Sequence, residues 1–123
     1  LERRGKPSAG FEGHLLIDWP VDYTVIAQVP WLRKIAASAT VVLRSNSAMT
    51  RRAAAASGAG IALLPCILAD LDPALMRIQS EAPPKQDLWL VTHRDLARVP
   101  RIRVTLEYLA ETAKRSAKRL SGS

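Results

Sequence analysis

Ser45-Asn46-Ser47 stands between a compact β-branched run, Thr40-Val41-Val42-Leu43, and an alanine-rich segment with helix-forming composition. A helix start leaves backbone N–H groups without intrahelical partners and carries partial positive charge. Hydroxyl and amide side chains at such a place can therefore help to hold a carboxylate or a similar anion. In an open parallel sheet the carboxyl ends of the strands are also where ligands lie. The same three residues would serve equally as plain helix N-caps, and the segment taken alone leaves both readings open.

Other reactive side chains lack a supporting context. The sequence has no Gly-x-Ser-x-Gly elbow, no phosphate-cradling glycine loop ending in Lys-Ser/Thr, and no His-Glu-x-x-His helix. His93, beside Arg94 and Asp95 at the end of a predicted strand, is expected to be a partly exposed structural histidine and not a general base. His14 stands alone. Cys66 follows Pro65 in an apolar run and is expected to be a small buried hydrophobe, not a nucleophile. As the only cysteine it cannot form an internal disulfide, and no Cys/His cluster has metal-ligand spacing. No catalytic residue, metal or cofactor is expected, and a reducing, cytoplasmic home fits best.

The elements that must position Ser45-Asn46-Ser47 follow from the apolar pattern of an ordinary globular composition, 48% hydrophobic and 24% charged over 123 residues. Residues 1–12, with Gly5, Pro7 and Gly10, form an irregular opening segment. Leu15-Leu16-Ile17-Asp18-Trp19 is a short apolar run closed by Pro20, which suits a buried strand. Pro30 sits in the first turn of a helix that places Trp31, Leu32 and Ile35 on one face. Thr40–Leu43 is predicted as a strand. The helix after it runs through Met49 and the alanines to Ser57, stopped by Gly58 and Gly60. Ile61-Ala62-Leu63-Leu64 returns as a strand that Pro65 closes, completing a βαβ crossover in a largely parallel sheet.

Further along, Cys66–Asp70 reads as a short helical turn, Ala74–Ile78 as a strand and Glu81–Lys85 as a loop. Asp87–His93 is the clearest later strand. From Pro100 onward, Ile102, Leu106, Leu109, Ala113, Ala117 and Leu120 mark an amphipathic helix. The net charge of +7 invites a nucleic-acid reading. Its carriers crowd the last quarter (Arg98, Arg101, Arg103, Lys114, Arg115, Lys118, Arg119) and the first residues (Arg3, Arg4, Lys6). That distribution fits a solvated helix face and a frayed end. The longest apolar run, Gly60–Leu68, is broken by Pro65 and reads as core, not as a membrane span.

Taken in order, these residues resemble the effector-binding domain of LysR-type transcriptional regulators, whose fold is similar to type 2 periplasmic binding proteins. The pattern runs Val42-Leu43-Arg44-Ser45-Asn46-Ser47, then Ala54-Ala55-Ala56-x-Gly58-x-Gly60-Ile61-Ala62-Leu63-Leu64-Pro65, then Asp70 and Leu75-Met76-Arg77-Ile78. It continues through Leu88-Trp89-Leu90-Val91-Thr92-His93-Arg94, Pro100-Arg101-Ile102-Arg103 and Leu109-Ala110-Glu111, with the upstream Trp31-Leu32 segment also similar. Its specificity lies in order and spacing, not in a single motif.

The resemblance implies an α/β fold in which two subdomains joined by a hinge hold a small molecule between them. Residues 13–86 correspond to subdomain II, and residues 87–123 to the return strand and C-terminal amphipathic helix of subdomain I, so the chain matches half of such a domain. It opens on Leu1 without an initiator methionine or a secretory apolar stretch, as expected of an excised fragment. The implied function is effector (co-inducer) sensing, with a small anionic molecule held by Ser45, Asn46 and Ser47 and with Pro65 and Cys66 lining the other wall. No enzymatic activity and no membrane contact are implied, and DNA is reached only through a winged helix-turn-helix domain outside this chain. The uncovered face of Ile102, Leu106 and Leu109 implies self-association or partial disorder of that helix. The alternative is a lobe of an extracytoplasmic solute-binding protein, which would need an export signal.

Overall fold

Leu15–Asp18 forms β1, the middle strand of a three-stranded parallel sheet with β2 (Thr40–Arg44) on one side and β3 (Ile61–Ala62) on the other. The computed structural model describes residues 11–78 and 84–122. Most of the opening segment 1–12 and the first part of the loop expected at 81–85 lie outside the described residues. A central parallel strand is covered on both faces, so Leu16, Ile17 and Asp18 are all buried instead of alternating with exposed neighbours. Between Leu16 and Ile17 the register with β2 shifts: Leu16 pairs with Val41 and Ile17 with Leu43, leaving Val42 as the extra residue.

The first crossover is α1 (Gln28–Ile35), whose Val29 and Leu32 are buried. They join Phe11, Leu16, Trp19 and Ala36 in the core, with Trp31 and Ile35 half-buried against it. Pro30 lies in the first turn, where a missing N–H removes no helical bond. The second crossover is α2 (Ala48–Ala56), which packs on β1 and β3. Its end is a Schellman stop: Ala59 N–H donates to Ala54 O, Gly58 N–H donates to Ala55 O, and Gly58 takes a left-handed φ of 85°. The chain then re-enters the sheet past Gly60, where an added Cβ would lie 2.7 Å from the Leu15 carbonyl oxygen. A short helix, α3 (Cys66–Ala69), follows β3.

Three expected strands differ from the structure, one of them over Asp87–His93. Ala74–Ile78 forms no strand, because the local chain is turned by Asp72: its Oδ1 accepts from Ala74 N–H (3.0 Å) and its carbonyl from Leu75 N–H (3.1 Å). The strand expected over Ile61–Leu64 forms but stops at Ala62, leaving Leu63 and Leu64 outside it.

Residues 87–123 form a compact unit of their own. Asp87–His93 is irregular and takes part in no β-ladder. Within it Leu88 (73%), Trp89 (76%) and Val91 (86%) are largely exposed. A 3-10 turn over Arg94–Leu96 leads to α4 (Pro100–Arg115), which opens with Pro100 at its first position, and to α5 (Ala117–Ser121). The single helix expected from Pro100 is therefore interrupted at Ser116. No residue of α4 is buried; Ile102 and Leu106 are half-buried, and Leu109 is exposed.

Replacing Gly60 by alanine forces its Cβ against the Leu15 carbonyl, a backbone atom that cannot swing aside. We expect Gly60→Ala to lower the unfolding free energy by roughly 1–3 kcal/mol in urea titrations. An unchanged midpoint would show that the β1–β3 approach is not tight.

Candidate functional site

The carboxyl end of β1 carries the most constrained charge among the described residues. Asp18 is only 1% exposed, and an ionised carboxylate withdrawn from water must be paired. Its Oδ2 accepts from Arg33 Nε at 3.0 Å and from Arg44 Nη1 at 2.7 Å. Arg33 comes from α1 and Arg44 is the last residue of β2. The same guanidinium groups satisfy the chain as it leaves β1. Arg33 Nη1 donates to Val21 O (3.0 Å), its Nη2 to Pro20 O (2.8 Å) and Trp19 O (3.3 Å), and Arg44 Nη1 to Trp19 O (3.1 Å). One carboxylate thereby fixes α1, the β1 exit and the end of β2 together.

A second charge is nearly as buried. Arg51, 3% exposed, sits four residues into α2 from its cap, and helical side chains lean toward the helix N-terminus. Its guanidinium carbon lies 4.0 Å from the centroid of the Trp19 ring, and Nη1 donates to Ser45 O at 2.8 Å. Burial pushes this guanidinium below its ordinary pKa, while the Tyr23 phenol and the Asp18 carboxylate pull it upward. Arg51 Nε and Asp18 Oδ1 are both buried without a hydrogen-bond partner among the described residues.

Ser45, Asn46 and Ser47 lie where the sequence pattern puts them, at the junction of β2 and α2. Ser45 N–H donates to Asp18 O (2.9 Å), which carries the β1–β2 pairing one step further. Ser45 Oγ accepts from Ser47 N–H (3.1 Å), and Ser47 Oγ accepts from Thr50 N–H (3.3 Å), so Ser47 is the N-cap of α2. Both hydroxyls retain a proton to donate, whereas the exposed Asn46 side chain makes no hydrogen bond to any described residue. Pro65 and Cys66 stand just beyond β3, at the same end of the sheet but on the far side of β1. Among the described residues no hydrogen bond joins them to Ser45–Ser47. Pro65 is exposed and the Cys66 thiol half-buried, not the fully buried hydrophobe expected.

Sequence reasoning missed Asp18, Trp19, Arg33, Arg44 and Arg51 as a group. One signal was present: an aspartate closing an apolar strand run has to be paired somewhere. Its partners could not be found from spacing, because Arg33 and Arg44 lie 15 and 26 residues away. His93 is exposed, and its Nδ1 accepts from Asp95 N–H at 3.2 Å. Among the described residues no group of three or more His, Cys, Asp or Glu side chains is placed to hold a metal ion. None of the described helices is long and apolar enough to cross a membrane.

Comparison with known proteins gives one positive finding: the family model for the LysR substrate binding domain matches residues 4–114. No curated protein and no solved structure matches the chain significantly.

Asp18→Asn leaves two partly exposed guanidinium groups facing a buried, uncharged amide. Removing one partner of a buried ion pair costs about 3–5 kcal/mol. Arg33 and Arg44 keep 29% and 38% of their side chains in water. We therefore expect a smaller loss of roughly 2 kcal/mol for Asp18→Asn, read from urea unfolding. A loss that vanishes in 1 M salt would show an exposed, screened pair instead.

Proposed function

Because this chain belongs to the LysR substrate binding domain family, we propose that it senses a small anionic effector (co-inducer) for a LysR-type bacterial transcription regulator. On this reading the effector lies at the carboxyl ends of β1 and β2 and takes hydrogen bonds from Ser45, Asn46 and Ser47. Pro65 and Cys66 line the opposite wall. The observation that carries the reading is the N-terminus of α2: a capped helix start with an exposed, unengaged amide at Asn46, set beside Arg44 at a parallel-sheet edge.

The domain assignment is part of the same proposal. Residues 13–86 form subdomain II, and residues 87–123 form the return segment and C-terminal helix of subdomain I. The exposed Leu88, Trp89 and Val91 support a stretch that completes a sheet when strands are set beside it. Effector binding then biases two arrangements of the subdomains, and through the oligomer it changes the spacing of the helices that read DNA. DNA contact belongs to a winged helix-turn-helix domain outside this chain. The regulator works in the cytoplasm and, as a sensor, carries out no reaction of its own. The family match does not favour the alternative of an extracytoplasmic solute-binding lobe.

Two measurements test this reading. In the full-length regulator, Asn46→Ala is expected to abolish inducer response in a reporter assay without lowering thermal stability. Ser47→Ala is expected to lose response together with about 1 kcal/mol of helix capping. Unchanged induction in both variants would show that the effector lies elsewhere. The exposed face of α4 is expected to drive self-association, giving a sedimentation mass above that of one chain. A monomer whose α4 amides are fully protected from hydrogen exchange would exclude it.

A further inference from the structure

Arg44 is the last residue of β2 and directly precedes the Ser45–Ser47 turn. Its guanidinium is held from one end only, through Nη1, which donates to Asp18 Oδ2 and to the Trp19 carbonyl. No described residue accepts from its Nε or its Nη2. Those two nitrogens form the side-on edge of the guanidinium fork, whose parallel N–H bonds match the two oxygens of a carboxylate. The neighbouring arginines offer no such edge. Arg33 spends Nε on Asp18 and both Nη atoms on the carbonyls of Trp19, Pro20 and Val21. Arg51 is buried beneath Trp19 and Ser45.

We infer that Arg44 binds a carboxylate group of the effector side-on through Nε and Nη2, with Asp18 fixing the orientation of the guanidinium. The inference rests on the reading that the effector lies at the Ser45–Ser47 turn, and it adds both the contact residue and the chemical class. Charge supports it. Asp18 neutralises one of the two arginines on its Oδ2, so the trio keeps one positive charge in excess, and the start of α2 adds partial positive charge beside it. Preorganisation supports it too. The Asp18 and Trp19 contacts already restrict the Arg44 rotamer, so a ligand does not bear the full entropy of ordering a long side chain. Arg44 keeps 38% of its side chain in water, enough for an approach from outside.

The test titrates the isotope-labelled chain with sodium acetate, sodium chloride and inorganic phosphate at matched ionic strength, and reads Arg44 Nε–H and the Asn46, Ser47 and Ala48 amides by NMR. Acetate is expected to shift Arg44 Nε–H saturably. Arg44→Lys, which keeps the charge but not the fork, is expected to weaken that binding about tenfold. If Arg44→Lys loses native dispersion, the wild-type Nε titration decides alone. The inference is overturned if Arg44 Nε–H moves no more with acetate than with chloride, if Arg44→Lys binds acetate unchanged, or if phosphate saturates the site at lower concentration than acetate. The two readings separate cleanly. A saturable Arg44 with still Asn46 and Ser47 amides upholds the arginine contact and removes the effector from the turn. Moving amides with a still Arg44 do the reverse.

Discussion

Asp18 is a carboxylate that water scarcely reaches, at the end of a strand whose preceding residues are all apolar. Left alone there it would destabilise the fold by several kcal/mol, so its burial is tolerable only with both arginines in place. The requirement shapes the whole carboxyl edge of the sheet. Arg33 must come from α1 at the right rotation, and β2 must end in register so that Arg44 lies beside Asp18. The shift between Leu16 and Ile17 brings Asp18 opposite Arg44; without it the aspartate would face Leu43. The bulge at Val42 is thus tied to the ion pair, and the carbonyls of Trp19, Pro20 and Val21 gain donors where the chain leaves the strand.

The parallel topology concentrates this chemistry at one edge. Strands running the same way deliver their C-terminal residues, Asp18 and Arg44, to the same side. The crossover then starts α2 there, with its unpaired N–H groups. Arg51 reaches back along α2 to Trp19 and the Ser45 carbonyl, so the turn that carries Asn46 rests on a stacked cation instead of being held only by its own hydrogen bonds. The carboxyl edge built this way presents a small number of free donors on a rigid base.

Residues 87–123 obey a different balance. Their helices form from local signals, Pro100 at a helix start and apolar residues recurring every three or four positions, and such signals need no partner to act. The stretch before them has strand composition, yet a strand exists only as part of a ladder. Among the described residues it forms no ladder, and Leu88, Trp89 and Val91 are exposed.

The sequence by itself determined whatever depends on neighbours along the chain. Leu15-Leu16-Ile17 before Pro20, Pro30 in a first turn, a helix cap within Ser45–Ser47 and Gly58 as a left-handed stop all act within a few residues. Each is found where the pattern places it. The βαβ order and the junction of Ser45–Ser47 follow from the same local rules, and the order of motifs sufficed to suggest the family that residues 4–114 match. Only the tertiary structure decided which charges meet. Asp18 with Arg33 and Arg44, and Arg51 with Trp19, are pairings across 15 to 32 residues of chain, set by strand register and helix rotation. It also decided against strands at Ala74–Ile78 and Asp87–His93, because strand propensity is realised only when a second backbone supplies the other half of each hydrogen bond.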